Sequence, residues 1–160
     1  MVSPRERLRE LGLELPSAPA ALASYVPTVT VPVTSGSALL YISGQVSSRD
    51  GRLLTGRVPD QVTLEAAQDA ARSCALNLLA QIEAGAGLDN LERIVNLTAW
   101  VNCTPDFQEQ PVVVNGASDL LVSVLGEAGR HTRAAVGSSG LPRAATVEIG
   151  AVVLVRTGTG

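Results

Sequence analysis

Apolar residues between Thr63 and Ala84 recur every three or four positions. Ala67, Ala71, Cys74, Leu78 and Ile82 make one continuous stripe, which predicts a helix with a single buried side, halted by Gly85 and Gly87. Elsewhere the repeat shortens to two. Thr28–Val33 alternates β-branched residues and Ser37–Val46 is a second β-rich run, with Ser35-Gly36 as the turn of a hairpin. Gly44, within Ser43-Gly44-Gln45, interrupts that second run, the mark of a bulge or of a close approach to the backbone. Arg49-Asp50-Gly51-Arg52 predicts a tight turn. Asp89-Asn90-Leu91-Glu92 reads as one capped turn. Arg93–Cys103 then alternates again, with Val95, Leu97, Ala99, Val101 and Cys103 on one face and Ile94, Asn96, Thr98, Trp100 and Asn102 on the other.

A second helix is expected from about Pro111 to Leu125, with Leu120, Leu121, Val124 and Leu125 turned inward and Gly126 and Gly129 ending it. Strands near Arg133–Ser138 and Thr146–Val155 follow, joined across Gly140-Leu141-Pro142. At the other end, Ser3-Pro4-Arg5-Glu6 has the form of a capping box with proline at the first helical position, so a short helix should run to about Leu11. Pro16 to Pro27 is too rich in Pro, Ala and Ser for a regular helix. The order of hairpin, helix, strand, helix and two strands defines an α+β fold, one antiparallel or mixed sheet with two helices on one face. Residues 1–15 are expected as an N-terminal helical extension, 16–156 as a single domain and 157–160 as a flexible tail.

The last strand carries more than its alternation. Val147, Ile149, Ala151, Val153 and Val155 share one face, yet Gly150, Val152 and Leu154 make the other face apolar as well. A sheet with one wet face should alternate with polar residues. Something besides the two helices must cover it, and in so short a chain the simplest cover is a second copy. Glu148 is the exception on that second face. It is either a rim carboxylate or an acid/base group whose pKa is raised by desolvation. Arg133, at the start of its strand, is either a rim charge or a two-pronged carboxylate clamp.

Composition narrows the classes of function. Of 160 residues, 46% are apolar but only 2% aromatic, and the 12 cations are all arginine, giving a net charge of −3. No basic stripe and no stacking platform are present, which speaks against nucleic acid as a partner. The absence of lysine removes Schiff-base chemistry on a lysine amine. His131 is the one histidine, and Cys74 and Cys103 are the two cysteines, in predicted helix and strand and not in a CxxC. Two reduced buried thiols are expected, and a zinc site is not. No signal-peptide pattern and no apolar run approaching ~18 residues is read, so the expected location is cytoplasmic and no membrane is expected as a partner.

Several local patterns occur together in order. Ala18-Pro19-Ala20 through Tyr25-Val26 resembles the N-terminal segment of the RidA/YjgF (Rid) family, also known as the endoribonuclease L-PSP-like family. Tyr41-Ile42-Ser43-Gly44-Gln45-Val46 resembles its Ser-Gly-Gln strand, and Asn115 matches a family Asn at the entry to the second helix. Arg133-Ala134-Ala135-Val136 followed by Val147-Glu148-Ile149 resembles its C-terminal signature. The resemblance spans about Pro16 to Val155.

It implies a chorismate-mutase-like fold assembled as a homotrimer around a central barrel, with active sites between subunits. The implied activity is enamine/imine deamination, in which 2-imino acids such as 2-aminoacrylate are hydrolysed to 2-keto acids and ammonium, with no cofactor and no metal. By matched position, Arg133 would hold the substrate carboxylate and Glu148 would hold and deprotonate water. Tyr25, Ser43, the Gly44 backbone, Asn115 and the Ala135 backbone would orient the rest. Three other functions are compatible with family membership: a non-catalytic trimer that binds small carboxylates, an endoribonuclease or translation inhibitor, and a specialised biosynthetic step on a related imine or enol. The chain departs from the family pattern at Ala135, where many members carry Cys, at Thr132, and in its N-terminal helix. A backbone role survives the first change and a thiol role does not.

Overall fold

The computed structural model describes residues 2–158, so Met1 and the last two positions of the expected tail lie outside it. The α1 helix, Pro4–Glu10, begins with the predicted capping box: the Ser3 hydroxyl accepts from the Glu6 amide, and the Glu6 carboxylate accepts from the Ser3 amide. Its Leu8 is buried in the same core as the main domain. Strands β1 (Thr28–Pro32) and β2 (Ser37–Val46) form the predicted hairpin. The turn at Asp50-Gly51, both with positive φ, closes a miniature hairpin of β3 (Ser48–Arg49) and β4 (Arg52–Leu53).

The long α2 helix spans Leu64–Ala86, capped by the Thr63 hydroxyl on the Ala66 amide. It runs through Gly85 and ends at Gly87, whose φ of 80° ends the helical geometry. Gly85 is therefore no stop. A side chain there would press within 3.3–3.4 Å of Thr28 and Leu40, so glycine lets the helix end lie against the hairpin. After a 3₁₀ turn, β5 (Leu91–Asn102) leads to α3 (Gln110–Leu125), a second 3₁₀ turn, β6 (Thr132–Ser138), a third 3₁₀ turn and β7 (Val147–Arg156).

The sheet is mixed, in the order β1-β2-β7-β5-β6, with β5 and β6 parallel and every other pair antiparallel. The parallel pair follows from the connection, because β5 and β6 are joined through α3 and a helical crossover returns the chain in the same direction. Hence β6 and β7, consecutive in sequence, do not pair; β5 lies between them. Helices α2 and α3 cover one face. Leu40, Leu97, Ile149 and Val153 from the sheet meet Leu78, Leu79, Leu120 and Leu121 from the helices, all essentially inaccessible. Burial on this scale contributes ~1.5–3 kcal/mol per large aliphatic side chain.

One expected face assignment fails. The pairing of β5 with β7 shifts between Ile94 and Asn96, so Ile94 turns into the core and Val95 turns out. Strict alternation cannot anticipate such a bulge. The stretch Gln110–Gly129 meets the length and hydropathy of a bilayer span, contrary to the reading that no run did. Its Val113, Val114, Ala117, Leu120, Leu121 and Val124 are buried inside the domain, as in the core helix of a compact fold.

The other face of the sheet is bare. Val29, Val31, Tyr41 and Val136 are each 43–51% exposed there, beside half-buried Val152 and Leu154.

Candidate active site

The bulge predicted at Gly44 is present. Pairing jumps from Ile42–Ala151 to Gln45–Ile149, so Ser43 and Gly44 together face Gly150. Glu148, two residues before Gly150 on β7, rises from the bare face against this bulge. A side chain at Gly44 would have its Cβ 2.1 Å from the Glu148 Oε1, so the carboxylate lies directly on glycine backbone. Glu148 is half-buried, and burial alone raises its carboxyl above the usual carboxylate range.

Around it opens a hollow of about 630 Å³ lined by Leu22, Ala23, Tyr25, Ser43, Gly44, Val46, Pro142, Arg143 and Glu148. The irregular 16–27 segment forms its rim, and three sets of bonds hold that segment down. The Ser43 hydroxyl donates to the Val26 carbonyl at 2.8 Å, and the Ser43 amide to the Pro27 carbonyl at 2.9 Å. The Tyr25 hydroxyl accepts from the Leu22 amide at 3.2 Å. From α2, the buried Gln81 donates to the Pro19 carbonyl at 2.6 Å and to the Gln45 side chain at 3.2 Å.

Arg133 is elsewhere. It leaves β6 on the helix-covered side, where it meets α3. Its Nη2 donates to the Asn115 Oδ1 at 2.8 Å and to the Pro111 carbonyl at 3.0 Å; its Nη1 donates to the Ser118 hydroxyl at 2.9 Å. Three of the ~five N–H donors of a guanidinium are thus set by its own chain. Ser118 in turn lies 3.0 Å from the His131 Nε2, and the His131 Nδ1 lies 2.6 Å from the Gly129 carbonyl. A carbonyl only accepts, so the geometry assigns the proton to Nδ1 and makes Nε2 the acceptor of the Ser118 hydroxyl. Burial, with the Arg133 charge, holds the His131 pKa below its ordinary value and keeps that acceptor neutral. Ala135 lies two residues further along the same side of β6 and is half-buried.

The seven candidate residues therefore fall into two groups. Tyr25, Ser43, Gly44 and Glu148 line one hollow on the bare face. Arg133, Asn115 and Ala135 gather at the β6–α3 edge on the other face. Register places Arg133 beside Leu97, and Glu148 beside Trp100 across the intervening β5. The two are separated by roughly 10 Å across the strands and roughly 10 Å along them, on opposite faces of the sheet. A single chain does not bring the guanidinium and the carboxylate together. Gln81, Ser118 and His131 were missed as supports. The available signals were a Gln beside the α2 apolar stripe and a lone His two positions before Arg133. Cys74 and Cys103 are free and buried, and burial, followed by the Glu148 charge, raises the Cys74 thiol.

With this geometry in view, comparison with known proteins is direct. The family profile described as "YjgF/chorismate_mutase-like, putative endoribonuclease" matches residues 5–151. Protein TCP17 of Trypanosoma cruzi is 45% identical over 149 residues, 91% of this chain and 90% of its own length. The crystal structure of Atu1372 from Agrobacterium tumefaciens, a protein of unknown function, superposes with a TM-score of 0.83 at 43% identity, covering 95% of this chain and 93% of that one. A Shewanella oneidensis MR-1 structure carrying the endoribonuclease label gives 0.86 at 33% identity, covering 94% and 98%. The chain belongs to the RidA/YjgF family and has its chorismate-mutase-like fold.

Proposed function

We propose that this protein is a cofactor-independent imine deaminase whose site is completed between copies of the chain. The observation that carries this is Glu148, a half-buried carboxyl with a raised pKa, seated on the Gly44 backbone in an open hollow. A desolvated carboxylate is the more basic for it, and can take a proton from water near neutral pH.

In this reading Arg133 of a neighbouring copy, held by Asn115 and Ser118, grips the substrate carboxylate at the mouth of the Glu148 hollow. The substrate enters as its protonated iminium form, and Glu148 removes a proton from water as the water oxygen bonds to the iminium carbon, leaving a neutral carbinolamine. Glu148 then returns its proton to the nitrogen of the carbinolamine. The C–N bond breaks, the hydroxyl proton is released, and the products are a 2-keto acid and ammonia, which leaves as ammonium. Tyr25, Ser43 and the backbones of Gly44 and Ala135 orient water and imine, and fixed positioning supplies much of the acceleration.

The separation of Arg133 and Glu148 within one chain supports a shared site, and the bare apolar face supports assembly. A homotrimer with these faces around a central barrel serves both. Endoribonuclease activity is disfavoured by the net charge of −3 and the absence of lysine.

The test is ammonium release from 2-aminoacrylate generated in situ. Wild type should exceed the no-protein rate, and Glu148→Gln should not. A wild-type rate equal to the blank, with pyruvate still bound, would leave the carboxylate-binding trimer as the function. Arg133→Ala and Glu148→Gln should each be inactive and regain activity when unfolded and refolded together, because mixed assemblies contain intact sites. No recovery in verified mixed oligomers sinks the shared site.

A further inference from the structure

The Glu148 hollow holds a second guanidinium that the deaminase reading leaves unused. Arg143 follows Pro142 in the short turn before β7, and its backbone sits in the left-handed region at φ 56°, ψ 28°; Ala144 follows at φ 58°. Two successive non-glycine residues in that region are unfavourable and persist only where the surroundings impose them. Here they do. The Gly56 amide donates to the Ala144 carbonyl at 3.0 Å, Asn102 donates to the Ala145 carbonyl at 3.2 Å, and Ala145 bridges to Thr55.

The imposed turn presents Arg143 to the hollow. It is exposed and, like Arg9, Arg52, Arg72, Arg93 and Arg156, forms no ion pair among the described residues; of these it is the one that lines the Glu148 hollow. Glu148 lines the same hollow, yet it too forms no ion pair with Arg143, and only burial shifts its carboxyl. The hollow is also larger than a three-carbon acid requires. Leu22, Tyr25, Gly44, Val46 and Arg143 are shared with an adjoining cavity of about 620 Å³. Pockets of this order accommodate much larger ligands. The one acidic side chain lining that farther cavity is Asp50, which would repel an anion moving deeper than Arg143.

We propose that Arg143 forms a second anion subsite, so that the preferred ligands are 2-imino and 2-keto acids whose side chain ends in a second carboxylate. The first carboxylate belongs to Arg133 and the distal one to Arg143, with Glu148 between them. This rests on the deaminase reading for its catalytic half and, for its binding half, on the hollow together with the shared site that brings Arg133 of a neighbouring copy to it.

Calorimetric titration of the full chain with pyruvate and with 2-oxoglutarate tests the binding half. Wild type should bind 2-oxoglutarate at least tenfold more tightly than pyruvate. Arg143→Gln should bring that ratio close to one, and so should Arg143→Gly, which removes the side chain while suiting the left-handed backbone and so preserves the turn. A ratio near one in wild type, or one that survives both substitutions, overturns the proposal. Equal losses for both ligands overturn it as well, because Arg143 would then hold the first carboxylate. Ammonium release from imines of alanine and glutamate, generated by an amino-acid oxidase, separates the two readings. Equal kcat/KM for both imines removes the second subsite and leaves the deaminase. A calorimetric preference without any ammonium release removes the deaminase and leaves the subsite.

Discussion

Arg133 and Glu148 are held in opposite ways. The guanidinium is fixed by direct bonds, with Asn115, Pro111 and Ser118 engaging it and His131 bracing Ser118 from behind. The carboxylate is positioned by shape and partial burial: it lies on a glycine, half-buried in an open hollow, with its pKa raised by burial alone. The difference fits their proposed tasks. A clamp keeps one charge state and benefits from rigid orientation, which hydrogen bonds provide. A general base must change charge state during reaction, and donors fixed on its charged form would lower its basicity.

Four perturbations sharpen or break that contrast. The largest effect is expected from Gly44→Ala. The new methyl cannot coexist with the Glu148 oxygen 2.1 Å away, so the carboxylate must move. Deaminase kcat should fall by ~10²–10⁴-fold, the span of a lost general base, while calorimetry still finds the pyruvate site. An active Gly44→Ala enzyme breaks the idea that shape positions the base.

Arg133→Lys comes next. A single ammonium cannot reproduce the forked contacts to Asn115, Pro111 and Ser118, so KM should rise by roughly 10- to 100-fold with a smaller change in kcat. A dominant kcat effect would instead place Arg133 at the reacting atoms.

The third concerns pH, with opposite signs at the two positions. Glu148 must be ionised to act, and its folded pKa is raised. The acid limb of kcat/KM should therefore lie above the ordinary glutamate value of ~4.3. The same shift makes the folded chain bind that proton more tightly than the unfolded chain, so its contribution to stability is present at low pH and is lost as pH rises through the folded pKa. His131 is lowered by burial and by Arg133. It costs nothing above its unfolded value of ~6.5, and stability is lost as pH falls from there toward the folded pKa. Urea melts of His131→Gln at pH 5 and 7.5 should show a smaller acid-side loss than wild type; an unchanged difference would deny His131 that role.

The smallest effect is expected from Ser118→Ala, which removes one bond to Arg133 and leaves two. A cost of about 0.5–1.5 kcal/mol in urea stability and a few-fold rise in KM should follow. Loss of all carboxylate binding would show that Ser118 does more than brace the clamp.

Local patterning determined much of this protein. The capping box at Ser3–Glu6, the α2 stripe, the hairpin turn and the Gly44 irregularity are short-range features, in which neighbouring residues select one geometry. The candidate residues were legible as residues too, because a carboxylate on an apolar strand face conflicts with its neighbours. Long-range pairing was beyond local pattern. That β7 inserts between β2 and β5, that a bulge turns Val95 outward, and that Gly85 serves packing and not termination all depend on which distant segments meet. So does the division of the candidate site. Whether a strand residue faces helix or open space follows from its register within the whole sheet, which is why Arg133 and Glu148, fifteen positions apart in the sequence, end on opposite sides of it.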